Sequence, residues 1–219
     1  MEILPGILEK EWSEIEKKFE AYRPFARFVH VDLLDGKFAP NISFLDPAPF
    51  KKYSKDFLLE LHMMVDDPIK YLKPFADAGF SRFIGQVEKM PDQVAFVATA
   101  QLYGEAGLGI DAETPVEAIK VPLTDLDSVL VMTVKAGFSG QEFIEKNLDK
   151  VKQLVSKTTI PIEIDGGVND TTIKAGCIAG AKRFVATSFL FSGATPAKQY
   201  AKLVECARSF NSFAHSTIR

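Results

Sequence analysis

The chain alternates short apolar runs with amphipathic stretches. The runs fall at residues 3–8, 28–33, 58–63, 82–87, 106–110, 128–134, 160–164 and 183–187, each the length of a strand. Helical patterns lie between them. The clearest is 141–156, where Phe143, Ile144, Leu148, Val151, Leu154 and Val155 recur at helical spacing with lysines and acids between. Parallel strands need a crossover, usually a helix, so eight strand-helix units in roughly 200 residues predict an α/β fold, a closed (β/α)8 barrel near its lower size limit. An open doubly wound sheet is the competing architecture from the pattern alone. No linker divides the chain, and the expected organisation is one barrel domain over residues 1–210 followed by a polar C-terminal tail at 211–219.

Polar residues gather at the C-terminal ends of the runs, the face on which a barrel carries its active site. The second run closes on His30-Val31-Asp32, the third on Leu61-His62-Met63-Met64, and the seventh on Glu163-Ile164-Asp165-Gly166-Gly167. Side chains two apart on a strand point the same way, so His30 and Asp32 both face the interior. Two imidazoles and two carboxylates converging from three strand ends form a His2Asp2 set suited to one divalent ion: zinc, iron(II), manganese or cobalt. Glu60 and Glu163 share the inward parity of His62 and Asp165 and stand where they can orient those ligands. Turns rich in glycine or hydroxyls follow runs six, seven and eight: Gly137-Phe138-Ser139-Gly140, Gly166-Gly167 and Thr187-Ser188. Backbone N–H groups in such turns, with a short helix N-terminus, can cup a phosphate.

Composition narrows the partners. With 25% charged residues and a net charge of -3, nothing points to nucleic acid or a membrane surface. The start, Met1-Glu2-Ile3-Leu4-Pro5, lacks a basic segment ahead of an apolar one, and no apolar run nears about 18 residues, so a cytoplasmic location is expected. Cys177 and Cys206 fall in helix-like patterns and read as inert thiols rather than a disulfide or a nucleophile. His215, in the tail, has no expected role.

The residues resemble the ribulose-phosphate 3-epimerase family. The matching text is His30-Val-Asp32-Leu-Leu-Asp35-Gly-Lys-Phe-Ala-Pro-Asn41, Leu61-His62-Met-Met64, Thr114-Pro115, Met132-Thr-Val, Gly137-Phe-Ser-Gly-Gln141-Glu-Phe143 and Asp165-Gly-Gly-Val168, in family order between about residue 3 and residue 192. The resemblance implies a TIM barrel of the ribulose-phosphate-binding type and one divalent metal ion per subunit. It also implies a homo-oligomer that interconverts D-ribulose 5-phosphate and D-xylulose 5-phosphate in the pentose phosphate pathway. The metal ligands implied are His30, Asp32, His62 and Asp165. Inverting C3 requires removing a proton beside the C2 carbonyl and returning one to the opposite face of an enediolate, so two acid/base groups are needed. The resemblance assigns these to Asp32 and Asp165, with the metal as Lewis acid. It implies substrate contacts at Gly6, His62, Gly137, Phe138, Ser139, Gly140, Gly166, Gly167, Thr187 and Ser188, and shielding of the intermediate by Met64 and Met132. Leu34 stands where the family has a third methionine. Asp35 is expected to brace the loop after the second strand, and Lys37 to be solvated.

The chain departs from the family at several positions. Gly6 replaces a serine that contacts substrate, Gln86-Val87-Glu88 replaces His-x-Glu, Ala136-Gly-Phe-Ser-Gly140 replaces Pro-Gly-Phe-Gly-Gly, and Thr187 replaces a glycine. Thr187 puts a side chain where a backbone N–H was expected to meet phosphate and where a positive φ is anticipated. These changes leave open another ketose phosphate, such as a hexulose 6-phosphate, or a non-catalytic sugar-phosphate-binding barrel. An orotidine-type decarboxylase shares the barrel but needs an Asp-x-Lys-x-x-Asp array, and Lys37 follows Asp32 and Asp35 at the wrong spacing.

Overall fold

In the computed structural model, which describes residues 1–216 and their side chains through Ser209, eight parallel strands close into a barrel in chain order. β1 (Glu2–Ile7) pairs with β2 (Phe28–Leu34) and with β8 (Arg183–Ala186); β3 (Leu58–Met64), β4 (Phe80–Gln86), β5 (Glu105–Ile110), β6 (Ser128–Met132) and β7 (Ile162–Asp165) complete the ring. The closed barrel excludes the open sheet. All eight apolar runs are strands. β7 starts at Ile162 because Pro161 has no N–H for the ladder, although its carbonyl accepts from Val129 N at 3.2 Å.

Alternation assigns the faces. On β2 and β3, Val29, Val31, Leu33, Leu59, Leu61 and Met63 point outward into the main apolar core under the helices. His30, Asp32, Glu60 and His62 point inward, with His30 beside Glu60 and Asp32 beside His62 in register. At the N-terminal end of the barrel the interior is ionic. Arg82 holds Glu2 and Glu105, each at 2.9 Å, and Arg183 reaches Glu105 at 3.0 Å and Glu2 at 3.4 Å.

The covering helices are α1 (Trp12–Tyr22), α2 (Ile69–Asp77), α3 (Gln93–Ala100), α4 (Leu148–Val155), α5 (Thr172–Ala179) and α6 (Pro196–Ser216). Two crossovers depart from the strand-helix pattern. After β2 the chain forms only the 3-10 helix Ala48–Lys52, and after β5 only Val116–Ala118 and Leu123–Asp125. Pro40, Pro47 and Pro49 interrupt the first crossover, and Pro115 and Pro122 the second. Each lacks an N–H, and between them only these short 3-10 turns form. Aromatic packing covers the first of these crossovers: Tyr53 stacks on Phe19 at 4.1 Å, and Phe50 meets Trp12 edge-on at 5.1 Å.

The helix expected over 141–156 is half absent. Only the 3-10 turn Glu145–Asn147 and α4 form, because Ile144 N donates to Thr133 O at 2.7 Å and the Asn147 side chain donates to Met132 O at 2.9 Å. These bonds commit residues 141–144 to the loop after β6 instead. Cys177 and Cys206 are free thiols on α5 and α6, and burial pushes the Cys177 thiol up to about 11, which keeps it protonated and inert. The boundary drawn at residue 210 and the side chain of His215 lie outside the described side chains. Among the described residues no helix is long and apolar enough to cross a membrane.

Candidate active site

At the C-terminal mouth, His30 and Asp32 of β2, His62 of β3 and Asp165 of β7 meet. His62 Nδ1 lies 2.9 Å from Asp32 Oδ1 and 3.6 Å from Asp165 Oδ2; His30 Nε2 lies 3.3 Å from Asp32 Oδ1 and 3.9 Å from Asp165 Oδ2. One donor atom from each of the four lies within 4.8 Å of the others. Both histidines are fully buried, and Asp32 and Asp165 nearly so.

The far side of each imidazole is held as well. His30 Nδ1 is 2.6 Å from Glu60 Oε1 and 3.4 Å from Glu163 Oε1. His62 Nε2 lies 3.1 Å from Gln86 Nε2, while Gln86 Oε1 is buried without a partner. A half-turn of that amide brings the oxygen to His62, where it accepts from Nε2–H. Each ring then donates outward and aims its lone pair at the common centre. This is the arrangement a divalent cation requires of histidine ligands, and two carboxylates complete the donor set. The residues present therefore fit a metal ion. Glu60 and Glu163 sit where alternation put them. Gln86 was visible in the sequence only as a substituted histidine, although its inward parity with Arg82 and Ile84 on β4 marked it.

Charge is concentrated in this small volume. Burial favours neutral imidazoles, but Asp32, Glu163 and Glu60 outweigh it and hold His30 well above its ordinary value. Burial likewise opposes a charged His62, yet Asp165 and Asp32 lift it to about 9. Burial would raise Asp32, and the two imidazoles instead hold its carboxyl well below the usual range. Beneath them, burial and the Glu60 charge push Glu163 up to about 7, while His30 overcomes the burial of Glu60 and lowers it. The site thus favours positive charge at its centre and an ionised Asp32.

Above the cluster is one pocket, lined by Asp32, Asp165, Met64, Met132, the 137–140 turn, Gly166, Gly167, Thr187 and Ser188. Met64 and Met132 pack into a small apolar cluster with Leu34, which fills the third methionine's place. Gly166 is required by its φ of 108° and because a Cβ there would lie 2.3 Å from Val134 Cγ2. Thr187, in contrast, has φ -115°, so the anticipated positive φ is absent there and threonine fits. Ser188 opens the 3-10 helix Ser188–Phe191. Gly6 is beside His30 in register but does not line the pocket. Asp35 braces its loop, accepting from the N–H groups of Lys37 (2.9 Å) and Asp66 (3.1 Å). Lys37 is exposed and pairs with Asp66.

A model of the Ribulose-phosphate 3 epimerase family matches residues 2–191. The chain is 33% identical over 208 residues to a protein of Mycobacterium tuberculosis named ribulose-phosphate 3-epimerase, covering 92% of this chain and 90% of that one. It is 34% identical over 199 residues to the protein of that name from Rhodobacter capsulatus, covering 88% and 87%. Among solved structures, KGPDC from Streptococcus mutans in complex with D-R5P superposes with a TM-score of 0.72 over 95% of this chain and 97% of that one, at 11% identity. That likeness speaks for the barrel alone.

Proposed function

The chain belongs to the ribulose-phosphate 3-epimerase family, and from that premise we propose that it is a carbohydrate isomerase interconverting D-ribulose 5-phosphate and D-xylulose 5-phosphate, a step of pentose phosphate metabolism. The observation that carries the reading is the pair of carboxylates, Asp32 and Asp165, brought from β2 and β7 to one buried His/Asp cluster under the pocket. Asp32 takes the C3 proton on one face of the substrate. Asp165 returns a proton to C3 on the other face, and the roles exchange in the reverse direction. His30, Asp32, His62 and Asp165 would hold one divalent ion, of the zinc, iron(II), manganese or cobalt type. When bound, it supplies Lewis acidity that stabilises negative charge developing on the substrate's oxygens. Met64 and Met132 keep water from the planar intermediate. N–H groups of the 137–140 turn, Gly166, Gly167 and Ser188 receive the phosphate. Homo-oligomeric assembly and a cytoplasmic setting belong to the same proposal.

The test is NMR of D-ribulose 5-phosphate in D2O with metal-stripped protein, with and without each of the four ions. Xylulose 5-phosphate appearing with deuterium at C3 only when an ion is added is the expected result. Absence of exchange with every ion would overturn the reading, and faster turnover of a hexulose 6-phosphate would move the substrate.

A further inference from the structure

Gly6 and Thr187 occupy one place in the barrel wall. β1 pairs with β8 through Pro5 and Ala186, so the next residues along the two strands, Gly6 and Thr187, are neighbours at the mouth. A Cβ built on Gly6 would lie 2.1 Å from Thr187 Oγ1, far inside contact distance. Thr187's hydroxyl therefore stands over strand β1, in the space a side chain at position 6 would use. Gly6 is also next to His30 in register, which sets this hydroxyl on the side of the wall that leads to the His/Asp cluster. Thr187 is only half-buried and lines the pocket, and among the described residues its hydroxyl makes no hydrogen bond.

A threonine at position 187 leaves no room for a side chain at position 6. The hydroxyl is not among the buried unpartnered polar atoms, so water reaches it in the pocket, and a ligand hydroxyl entering there would take that water's place. We infer that Thr187 is a specificity-determining residue whose Oγ1 hydrogen-bonds a hydroxyl of the ketose phosphate, supplying from β8 a contact that glycine at position 6 cannot make. The inference rests on the epimerase reading. A sugar hydroxyl is favoured over the phosphate because Oγ1 turns toward β1, whereas Ser188 and the glycine turns carry the backbone donors suited to an anion.

The experiment is a set of variants assayed with D-ribulose 5-phosphate, with inorganic phosphate as a competitive inhibitor. Thr187→Val keeps the shape and removes the hydroxyl; it should lower kcat/KM about tenfold, the worth of one hydrogen bond, and leave the inhibition constant of inorganic phosphate unchanged. Gly6→Ser alone should lower both activity and melting temperature, because its side chain meets Thr187. Gly6→Ser combined with Thr187→Gly should recover activity and stability, the hydroxyl now coming from β1. Gly6→Ala combined with Thr187→Gly should recover stability only. Wild-type kinetics in Thr187→Val would overturn the inference. So would equal rescue by the alanine and serine pairs, or a parallel loss of phosphate inhibition. A wild-type protein that does not turn over the sugar overturns the epimerase reading, and the inference with it.

Discussion

Asp32 and Asp165 face the centre from different strands, so on the proposed mechanism removing one should leave the other's half-reaction. Asp165→Asn should lower epimerisation by about 10²- to 10⁴-fold while Asp32 still exchanges the C3 proton of one epimer with solvent deuterium. Equal loss of exchange from both sugars would contradict the division of faces. Behind them, Glu60 grips His30 Nδ1 at 2.6 Å, and Glu60→Gln keeps an acceptor but removes its charge. A weakening of metal affinity by about 10- to 100-fold, read by competition with a chromophoric chelator, is expected. On the proposed reading, protons would compete with the ion for these rings. With His62 raised to about 9, the metal-free protein draws stability from the protonated ring that is complete below the unfolded value near about 6.5. That stability is lost as pH rises through about 9. Melting temperatures of stripped protein should therefore fall across this window, and saturating metal should flatten the fall; a flat profile without metal would refute it. Of these residues, the two histidines and two aspartates were legible because each closes an apolar run. Gln86 was legible only as an inward-facing departure from the family pattern, and the contact between Gly6 and Thr187 was not, since it depends on which strands become neighbours.

At the level of elements, strands were easier to read than crossovers. A strand in a parallel barrel is buried on both faces and declares itself as an apolar run, whereas a crossover needs only to cover its strands. The prolines after β2 and β5 carried the needed signal, because several in one crossover leave too few backbone donors for a regular helix. The 141–156 pattern misled because Phe143 and Ile144 are apolar for the loop's sake, with Ile144 tied to Thr133. The 3-10 crossover after β2 relies on aromatic burial in place of helix length. Phe50, fully buried among Trp12, Phe19, Phe44, Phe75 and Phe80, should be costly to truncate. Phe50→Ala is expected to destabilise by about 3–5 kcal/mol in chemical denaturation, with the donor geometry at the mouth intact and kcat little changed in the folded fraction. A cost under about 1 kcal/mol would mean that this crossover is not needed to cover β2 and β3.

For the whole molecule, the proposed metal site would link ion binding to folding, because its four side chains come from β2, β3 and β7 and meet only when the barrel closes. An ion at about 100 times its dissociation constant should add about 2.7 kcal/mol, or roughly 5–10 °C in melting temperature for a chain of this size. A chelator should reverse the gain. Closure itself was legible from the count of strand-helix units. The ionic floor was not, since Glu2, Arg82, Glu105 and Arg183 sit far apart in sequence and only the ring brings them together. The set is uneven: the side chains of Arg82 and Arg183 are 10% and 8% exposed, against 35% for Glu2 and 43% for Glu105. Losing an arginine leaves carboxylates that water still reaches, whereas losing both acids would leave two nearly buried guanidinium groups short of countercharge. The barrel's lower end thus leans on its cations for packing and on its acids for neutrality.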